Sequence, residues 1–175
     1  MEKLNAENLG YFGAPENFRR DSMLIRKATS EDFEIVKTIT HETINAIYPH
    51  YYPQGAVKFF LAHHCDENIV RDIEAGIVWL LTDEEFFYGT VTVHENEIGR
   101  LFVHPEHQGF GYGRMLLDFA EAKIAESYDE IVIDASMSAK QIYKKRGYVE
   151  VGFNVVPAFG DYLCYDIMKK ELKND

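Results

Sequence analysis

The chain is poor in several features whose abundance would mark a particular class of protein. Among its 175 residues there are only two cysteines, Cys65 and Cys164, which argues against a disulfide scaffold and predicts reduced thiols. No apolar run is long enough to span a bilayer. Residues 1–22 lack the apolar stretch of a signal peptide. We therefore expect a cytoplasmic protein.

Basic residues are also scarce. Lysine and arginine number 18 against 29 acidic residues, which gives a net charge of −11. Nucleic acids bind to basic surfaces, so this balance argues against such a partner, and it is compatible with a small cationic substrate. The length suits one domain with a sizeable core. We predict an N-terminal arm over residues 1–22, rich in turn-forming residues, and a single domain over residues 23–175.

Hydrophobic periodicity divides the domain into strands and helices. Alternation predicts strands over residues 23–28, 77–82, 86–94, 97–103, 130–135, 148–156 and 161–168. Helical spacing predicts helices over residues 33–47, 55–64, 67–75, 114–126 and 138–146. This order indicates an α+β domain built around a mostly antiparallel mixed sheet.

A glycine-rich loop lies between the strand that ends at Val103 and a helical segment. Its glycines, Gly109, Gly111 and Gly113, occupy alternate positions. Glycine lets a backbone approach a ligand closely, and the first N–H groups of a helix have no internal partners and carry partial positive charge. The arrangement is therefore suited to binding a phosphate or pyrophosphate. A strand-to-helix turn without any ligand is the alternative interpretation.

The loop differs from two common nucleotide-binding motifs. It lacks the Lys-Ser/Thr pair of a triphosphate-binding P-loop, and the spacing of its glycines does not match the dinucleotide fingerprint. The segment from Gln108 to Gly113 resembles the Gln/Arg-x-x-Gly-x-Gly/Ala motif of the GCN5-related N-acetyltransferase (GNAT) family. The segment from Ala139 to Tyr148 is similar to a second signature of that family, Ala-x-x-x-Tyr-x-x-x-Gly-Phe/Tyr.

This resemblance implies a three-layer α-β-α fold with a mixed, mostly antiparallel sheet, and acetyl-CoA as the co-substrate. The backbone of the strand before the loop would hold the pantetheine arm, and an N–H near Val103 would polarise the thioester carbonyl. The loop would hold the pyrophosphate. The implied cofactor contacts are Phe102, Val103, Gln108, Gly109, Phe110, Gly111, Tyr112, Gly113, Arg114, Ser136 and Tyr143.

Four residues are candidates for catalysis or for orienting the cofactor. Tyr143 occupies the place of the family's general acid, which assists the departing thiolate; a purely packing role is the alternative. Ser136 stands where the family often has asparagine, and its hydroxyl has a shorter reach. Glu97 is our first choice as general base, with Glu95 near it, although an exposed strand-end carboxylate fits the same pattern.

The resemblance places the acceptor near the first helices, where aromatic residues concentrate. We predict acceptor contacts from Tyr48, Tyr51 and Tyr52, because an aromatic wall with nearby acid suits a cationic amine. Two histidine groups, one at His63 and His64 and one at His104 and His107, match no common zinc spacing, so we expect no metal. Aromatic residues of the C-terminal strands suggest a possible homodimer surface: Phe153, Phe159, Tyr162 and Tyr165.

Together these features predict an acyl-CoA-dependent N-acyltransferase acting on a small-molecule or peptide amine by direct attack. Neither cysteine lies in a motif that indicates a covalent intermediate. The alternative is a non-catalytic module that binds acyl-CoA on the same fold, because fold alone does not determine function.

Overall fold

A computed structural model describes residues 23–83 and 85–172. The predicted arm over residues 1–22 lies outside this part of the chain. In chain order the elements are β1 (Leu24–Lys27), α1 (Phe33–Ile47), α2 (Gln54–His63), α3 (Asp66–Glu74), β2 (Val78–Thr82), β3 (Phe87–His94), β4 (Glu97–Val103), α4 (Tyr112–Ala125), β5 (Glu130–Ala135), α5 (Lys140–Lys145), β6 (Val149–Ala158) and β7 (Asp161–Glu171). Short 3-10 turns precede α1, follow it, and follow β4.

The seven strands form one sheet in the order β1-β2-β3-β4-β5-β7-β6. Every neighbouring pair is antiparallel except β4 and β5, which run parallel because α4 connects them as a crossover. The predicted class, an α+β domain with a mixed, mostly antiparallel sheet, is therefore confirmed. The strand and helix bounds differ from the predicted ones by at most three residues.

Two hydrophobic clusters pack on opposite faces of the sheet and give the fold three layers. One cluster contains the buried side of α4 with Tyr143 of α5 and the strand residues Ile98, Ile131 and Ile133. The other contains residues of α1, α2 and α3 with Phe102. Residues on β4 and β5 that do not face α4 therefore point toward the α1–α3 side, because side chains alternate along a strand.

The 3-10 turn that precedes α1 begins with a capping interaction between Thr29 and Asp32. Thr29 donates its backbone N–H to the Asp32 carboxylate over 2.8 Å, and Arg26 pairs with the same carboxylate at 2.7 Å. These bonds lower the pKa of Asp32 to about 2, and the hydrogen bond from Arg26 is the main cause. The turn thus ties β1 to α1 through a buried carboxylate.

None of the helices within residues 23–83 and 85–172 combines the length and the apolar character needed to span a bilayer.

The β6–β7 hairpin supports the start of α2. Asp161 accepts a 2.7 Å hydrogen bond from the backbone N–H of Gly55, which satisfies one of the unpaired donors of the first turn of α2. The approach is so close that a Cβ atom on Gly55 would lie 2.2 Å from the backbone oxygen of Ala158. Ala158 is itself buried, so the carbonyl has little freedom to move.

This contact predicts that Gly55→Ala destabilises the protein. Overpacking against backbone costs about 1–3 kcal/mol, and we expect a lower Tm in thermal unfolding. Gly113→Ala is the matched control, because Gly113 is also the second residue of its helix and its Cβ would meet only Val103 Cγ2 at 3.6 Å. Equal Tm values for the two variants would contradict the close-packing interpretation.

Candidate functional site

The site is created where β4 and β5 separate. The two strands are paired only at Glu97 with Val132 and at Ile98 with Ile133, although β4 continues to Val103 and β5 to Ala135. Beyond these pairs the facing backbone edges have no ladder partner. Two cavities of about 390 and 400 Å³ lie at this divergence.

A β-bulge in β4 accompanies the separation. Thr90 and Thr92 of β3 are two residues apart, but they pair with Phe102 and Gly99, which are three apart. Arg100 within this bulge has a φ of +40°, which is unusual for a residue with a side chain. The extra residue brings both Arg100 and Phe102 to the α1–α3 side of the sheet.

The cavity beside the glycine loop is suited to the cofactor. Gly109 and Gly111 have φ values of +87° and +88°, and a Cβ on either would meet nothing within 4 Å. Left-handed backbone is strained for other residues, and the empty space in front of the loop leaves its N–H groups accessible. The residues that line this cavity include Phe102, Val103, Gln108, Gly109, Gly111, Tyr112, Gly113, Ser136 and Tyr143.

Two of the predicted cofactor residues lie differently from the rest of this set. The Phe110 side chain packs against the hydrophobic cluster under α4, and Arg114 is exposed with Asp118 at 3.8 Å. Neither lines the two cavities described above. The Gln108 amide donates to the backbone oxygen of Val103 over 3.0 Å, so this side chain braces the loop against β4. The Gln108 side-chain amide was expected to donate to the cofactor, and one of its N–H groups is instead bonded within the protein.

Tyr143 lies where the two cavities meet. It lines both, as do Tyr48, Phe102 and Ser136. The Tyr143 side chain is buried, and its hydroxyl makes no hydrogen bond to any residue within 23–83 or 85–172. Burial raises the pKa of the Tyr143 phenol, with a further contribution from Tyr48. The phenol is therefore protonated at neutral pH and has a free donor.

The second cavity lies on the α1–α3 side. Its wall is mainly aromatic and aliphatic, and its polar lining includes Glu97, Asp134, His63 and Arg100. Glu97 is exposed and lies at the first position of β4. Glu95 lies in the preceding turn, with a φ of +52°, and lines neither cavity.

The three tyrosines predicted to contact the acceptor have different positions. Tyr48 lines both cavities, and burial raises its pKa to about 12 against the opposing effect of a hydrogen bond with Ser136. Tyr52 is buried, and its hydroxyl accepts a 2.7 Å hydrogen bond from the backbone N–H of Met137. Tyr51 is half exposed and lines neither cavity. Of the three, only Tyr48 borders the cavities.

The sequence interpretation missed several polar residues of this site. Arg100 of β4 forms a buried ion pair with Asp72 of α3 at 2.8 Å and donates to the ring of His64. Asp134 of β5 lines the same cavity as Glu97. A charged residue within the otherwise apolar end of β4 was the available signal for Arg100. Within the described residues, no group of three or more His, Cys, Asp or Glu side chains could hold a metal ion.

Comparison with known proteins identifies the class. Residues 47–172 match the family model described as the acetyltransferase (GNAT) domain. The chain belongs to the GCN5-related N-acetyltransferase family. Among curated proteins, none matches this chain. Family membership supports acyl-CoA-dependent N-acetyl transfer as the general activity.

Solved structures share the fold at low sequence identity. A GCN5-related N-acetyltransferase from Rhodopseudomonas palustris is 23% identical with a TM-score of 0.79, covering 86% of this chain and 96% of that one. The PaiA N-acetyltransferase of Thermoplasma acidophilum in complex with coenzyme A is 20% identical with a TM-score of 0.65, covering 86% and 99%. N-acetylglutamate synthase from Neisseria gonorrhoeae, complexed with coenzyme A and N-acetylglutamate, is 17% identical with a TM-score of 0.61, covering 92% and 37%.

The loop geometry predicts that Gly111→Ala weakens binding of acetyl-CoA. Positive φ costs an alanine about 1–2 kcal/mol, and relaxing that strain would move the N–H groups of the loop. We expect the Kd measured by calorimetry to rise about tenfold.

Gly160→Ala is the control for this loss. Gly160 has a φ of +89° with nothing within 4 Å of its Cβ, but it lies in the β6–β7 turn. It should lose similar stability while binding acetyl-CoA normally. Unchanged affinity in Gly111→Ala, or binding of ATP comparable to that of acetyl-CoA by the wild type, would contradict the assignment of the loop.

Proposed function

We propose that the protein transfers the acetyl group of acetyl-CoA to a primary amine by direct attack in a ternary complex. The observation that carries this proposal is that two cavities meet at Tyr143, where β4 and β5 diverge. One cavity contains the glycine loop and suits the cofactor. The other gives the acceptor a separate place on the α1–α3 side. Coenzyme A in two structures of the same fold supports the assignment of the cofactor.

The reaction follows from this arrangement. The neutral amine attacks the thioester carbonyl carbon, and the C–N bond forms as the carbonyl oxygen takes up negative charge. In this proposal a backbone N–H of β4 near Val103 stabilises that charge. The C–S bond then breaks, and the sulfur leaves as the thiolate of CoA. Neither Cys65 nor Cys164 lines the two cavities, which supports direct transfer over a covalent enzyme intermediate.

Tyr143 assists the leaving group in this scheme. Its free hydroxyl donates a hydrogen bond to the sulfur as negative charge develops there. Because burial raises the pKa of the phenol above its ordinary value, the tyrosine is protonated at neutral pH. A phenol with a raised pKa stabilises the departing thiolate through this hydrogen bond, and the sulfur then takes its final proton from water.

Glu97 accepts the proton of the attacking amine in this proposal, directly or through a water molecule. It lines the acceptor cavity and forms no hydrogen bond or ion pair with another residue in the described part of the chain. An unpaired carboxylate at the base of the divergence is available to the incoming ammonium group. It therefore serves both to attract the acceptor and to remove its proton.

Replacing Tyr143 with phenylalanine tests the chemical step. We expect kcat to fall by one to two orders of magnitude, about 1.4–2.8 kcal/mol, while the Kd for acetyl-CoA stays the same. Release of thiol with a panel of amines measures the rate, and calorimetry measures binding.

Tyr148→Phe is the matched control, because Tyr148 is equally buried, lies 5.6 Å from Tyr143 between ring centroids and lines neither cavity. It should lose stability through its bond to Glu121 but retain kcat. A Tyr143→Phe enzyme with the wild-type kcat would remove this tyrosine from the mechanism. Acetyl-CoA binding without turnover of any amine would favour the non-catalytic alternative.

We further propose that two copies of the chain pair through β6. This strand is an edge of the sheet and spans ten residues, with β7 on one side only. Its single charged residue, Glu150, is held by Lys140 and Lys144. The opposite edge, β1, has four residues including Arg26 and Lys27, which is the usual protection of an exposed edge. Exposed apolar side chains of the β6 region are Val149, Val151, Phe153, Val155, Phe159 and Tyr162.

A second copy is the partner that this edge fits. In a dimer with a twofold axis, β6 of one copy would pair antiparallel with β6 of the other, so the same strand forms both sides of the interface. Two chains that each carry a net charge of −11 repel one another, and β6 offers a nearly neutral surface for their approach. The predicted dimer residues Phe153, Phe159 and Tyr162 are exposed, whereas Tyr165 lines the acceptor cavity.

Phe153→Lys should shift the protein from dimer to monomer in sedimentation equilibrium. A charge in the centre of the strand would be buried without a partner at the interface. Leu24→Lys on β1 is the control, since its side chain is similarly exposed on the other edge, and it should leave the mass unchanged. A monomeric wild type would disprove this assembly.

A further inference from the structure

The acceptor cavity contains a buried cation that the proposed reaction does not use. The Arg100 side chain is 4% exposed and borders the cavity from the bulge of β4. Its Nη2 lies 2.8 Å from Asp72 Oδ2, and its Nε donates to Nδ1 of His64 over 3.3 Å. Its Nη1 is buried and has no hydrogen-bond partner among the described residues. One of the three nitrogens is therefore unsatisfied.

The geometry of the guanidinium group separates these nitrogens. The N–H groups of Nε and Nη2 point from one edge of the plane, toward His64 and Asp72, and Nη1 lies on another edge. His64 does not provide a second positive charge beside Arg100. Burial lowers the pKa of His64 to about 2, with the charge of Arg100 as the second cause. Buried N–H groups nearly always have an acceptor, and carboxylates are the acceptors that arginine binds best.

The same cavity also contains two unpaired carboxylates. Glu97 pairs in the β-ladder with Val132, so Asp134 lies two residues farther along β5 on the same face. Strand spacing and rise place the two Cα atoms about 8 Å apart. Neither side chain has a hydrogen bond or ion pair within residues 23–83 and 85–172. Burial and then the charge of Glu97 raise the pKa of Asp134, which agrees with two carboxylates that share one space.

The rest of the cavity wall is mostly apolar, and its other polar residues include Thr92, His94, His63, His64 and Ser136. His63 opposes the effect of Glu97 on the pKa of Asp134. The remaining lining is suited to a hydrophobic group of moderate size, since the cavity has a volume of about 390 Å³. It includes Tyr48, Phe59, Phe60, Val156, Leu163 and Tyr165.

We infer that the acceptor is an α-amino acid with an apolar side chain. Glu97 and Asp134 hold its amino group, the free edge of Arg100 binds its carboxylate, and the aromatic wall surrounds its side chain. A diamine would leave the buried Arg100 nitrogen without a partner. A dicarboxylate would place a negative group beside Glu97 and Asp134, which would repel it. This inference rests on the proposed acyl transfer and specifies its substrate.

Paired probes test the inference without requiring turnover. Phenylalanine and phenethylamine differ only in the carboxylate, and each is titrated calorimetrically into protein saturated with CoA. We expect phenylalanine to bind at least tenfold more tightly. Arg100→Met should abolish this preference while CoA still binds.

Arg71→Met is the matched control. Arg71 also pairs with Asp72, at 3.1 Å, but its side chain is 68% exposed and lies outside the cavity lining. This variant should keep the preference for phenylalanine. If Arg100→Met fails to fold, the wild-type comparison of the two probes decides the question alone.

Three results would overturn the inference. They are equal or tighter binding of phenethylamine, a preference for phenylalanine that persists in a folded Arg100→Met protein, and no binding of either probe to the CoA-saturated wild type. Each of these leaves acyl transfer intact. A wild type that binds no CoA would instead remove the proposed function, and the inference with it.

Discussion

The early separation of β4 from β5 is the constraint on which the rest of the site depends. A parallel pair normally continues its ladder for the length of the shorter strand, but here it stops after two residue pairs. The bulge around Arg100 adds a residue to β4 opposite β3, just beyond the last pair between β4 and β5. Both cavities lie at this gap, and Tyr143 lines both of them.

Such a gap exposes backbone groups that a sheet would otherwise pair, so side chains must satisfy them. Gln108 donates to the carbonyl oxygen of Val103 over 3.0 Å. The Thr43 hydroxyl lies 3.0 Å from the same oxygen, and its shorter bond of 2.7 Å is to the carbonyl oxygen of Ile39. On the other side, the hydroxyl of Tyr52 accepts from the N–H of Met137, just beyond β5. Tyr48 and Tyr52 pack with Phe60. Tyr48 and Phe60 of this aromatic cluster also line the second cavity.

Local pattern predicted most of the fold, because strand alternation, helical spacing and glycine-rich turns are each encoded within a few residues. The positions of the glycine loop and of Tyr143 followed from two short motifs. The bulge was not predictable, since Leu101, Phe102 and Val103 form a continuous apolar run in which one extra residue leaves no trace. Polar pairs between residues distant in the sequence were not predictable either. Arg100 and Asp72 are 28 residues apart, and Gly55 and Asp161 are 106 apart.

The net charge of the whole chain does not predict the charge of the proposed acceptor site, which depends on the residues that line the cavity. A net charge of −11 favours a cationic substrate when it is treated as a property of the whole surface. Most of those carboxylates lie away from the cavity, where solvent and salt screen them. Inside it, the balance is two unpaired acids against one arginine that Asp72 compensates only in part. A ligand that carries one positive and one negative group matches this balance better than a polycation, because it satisfies both the acids and the remaining guanidinium nitrogen.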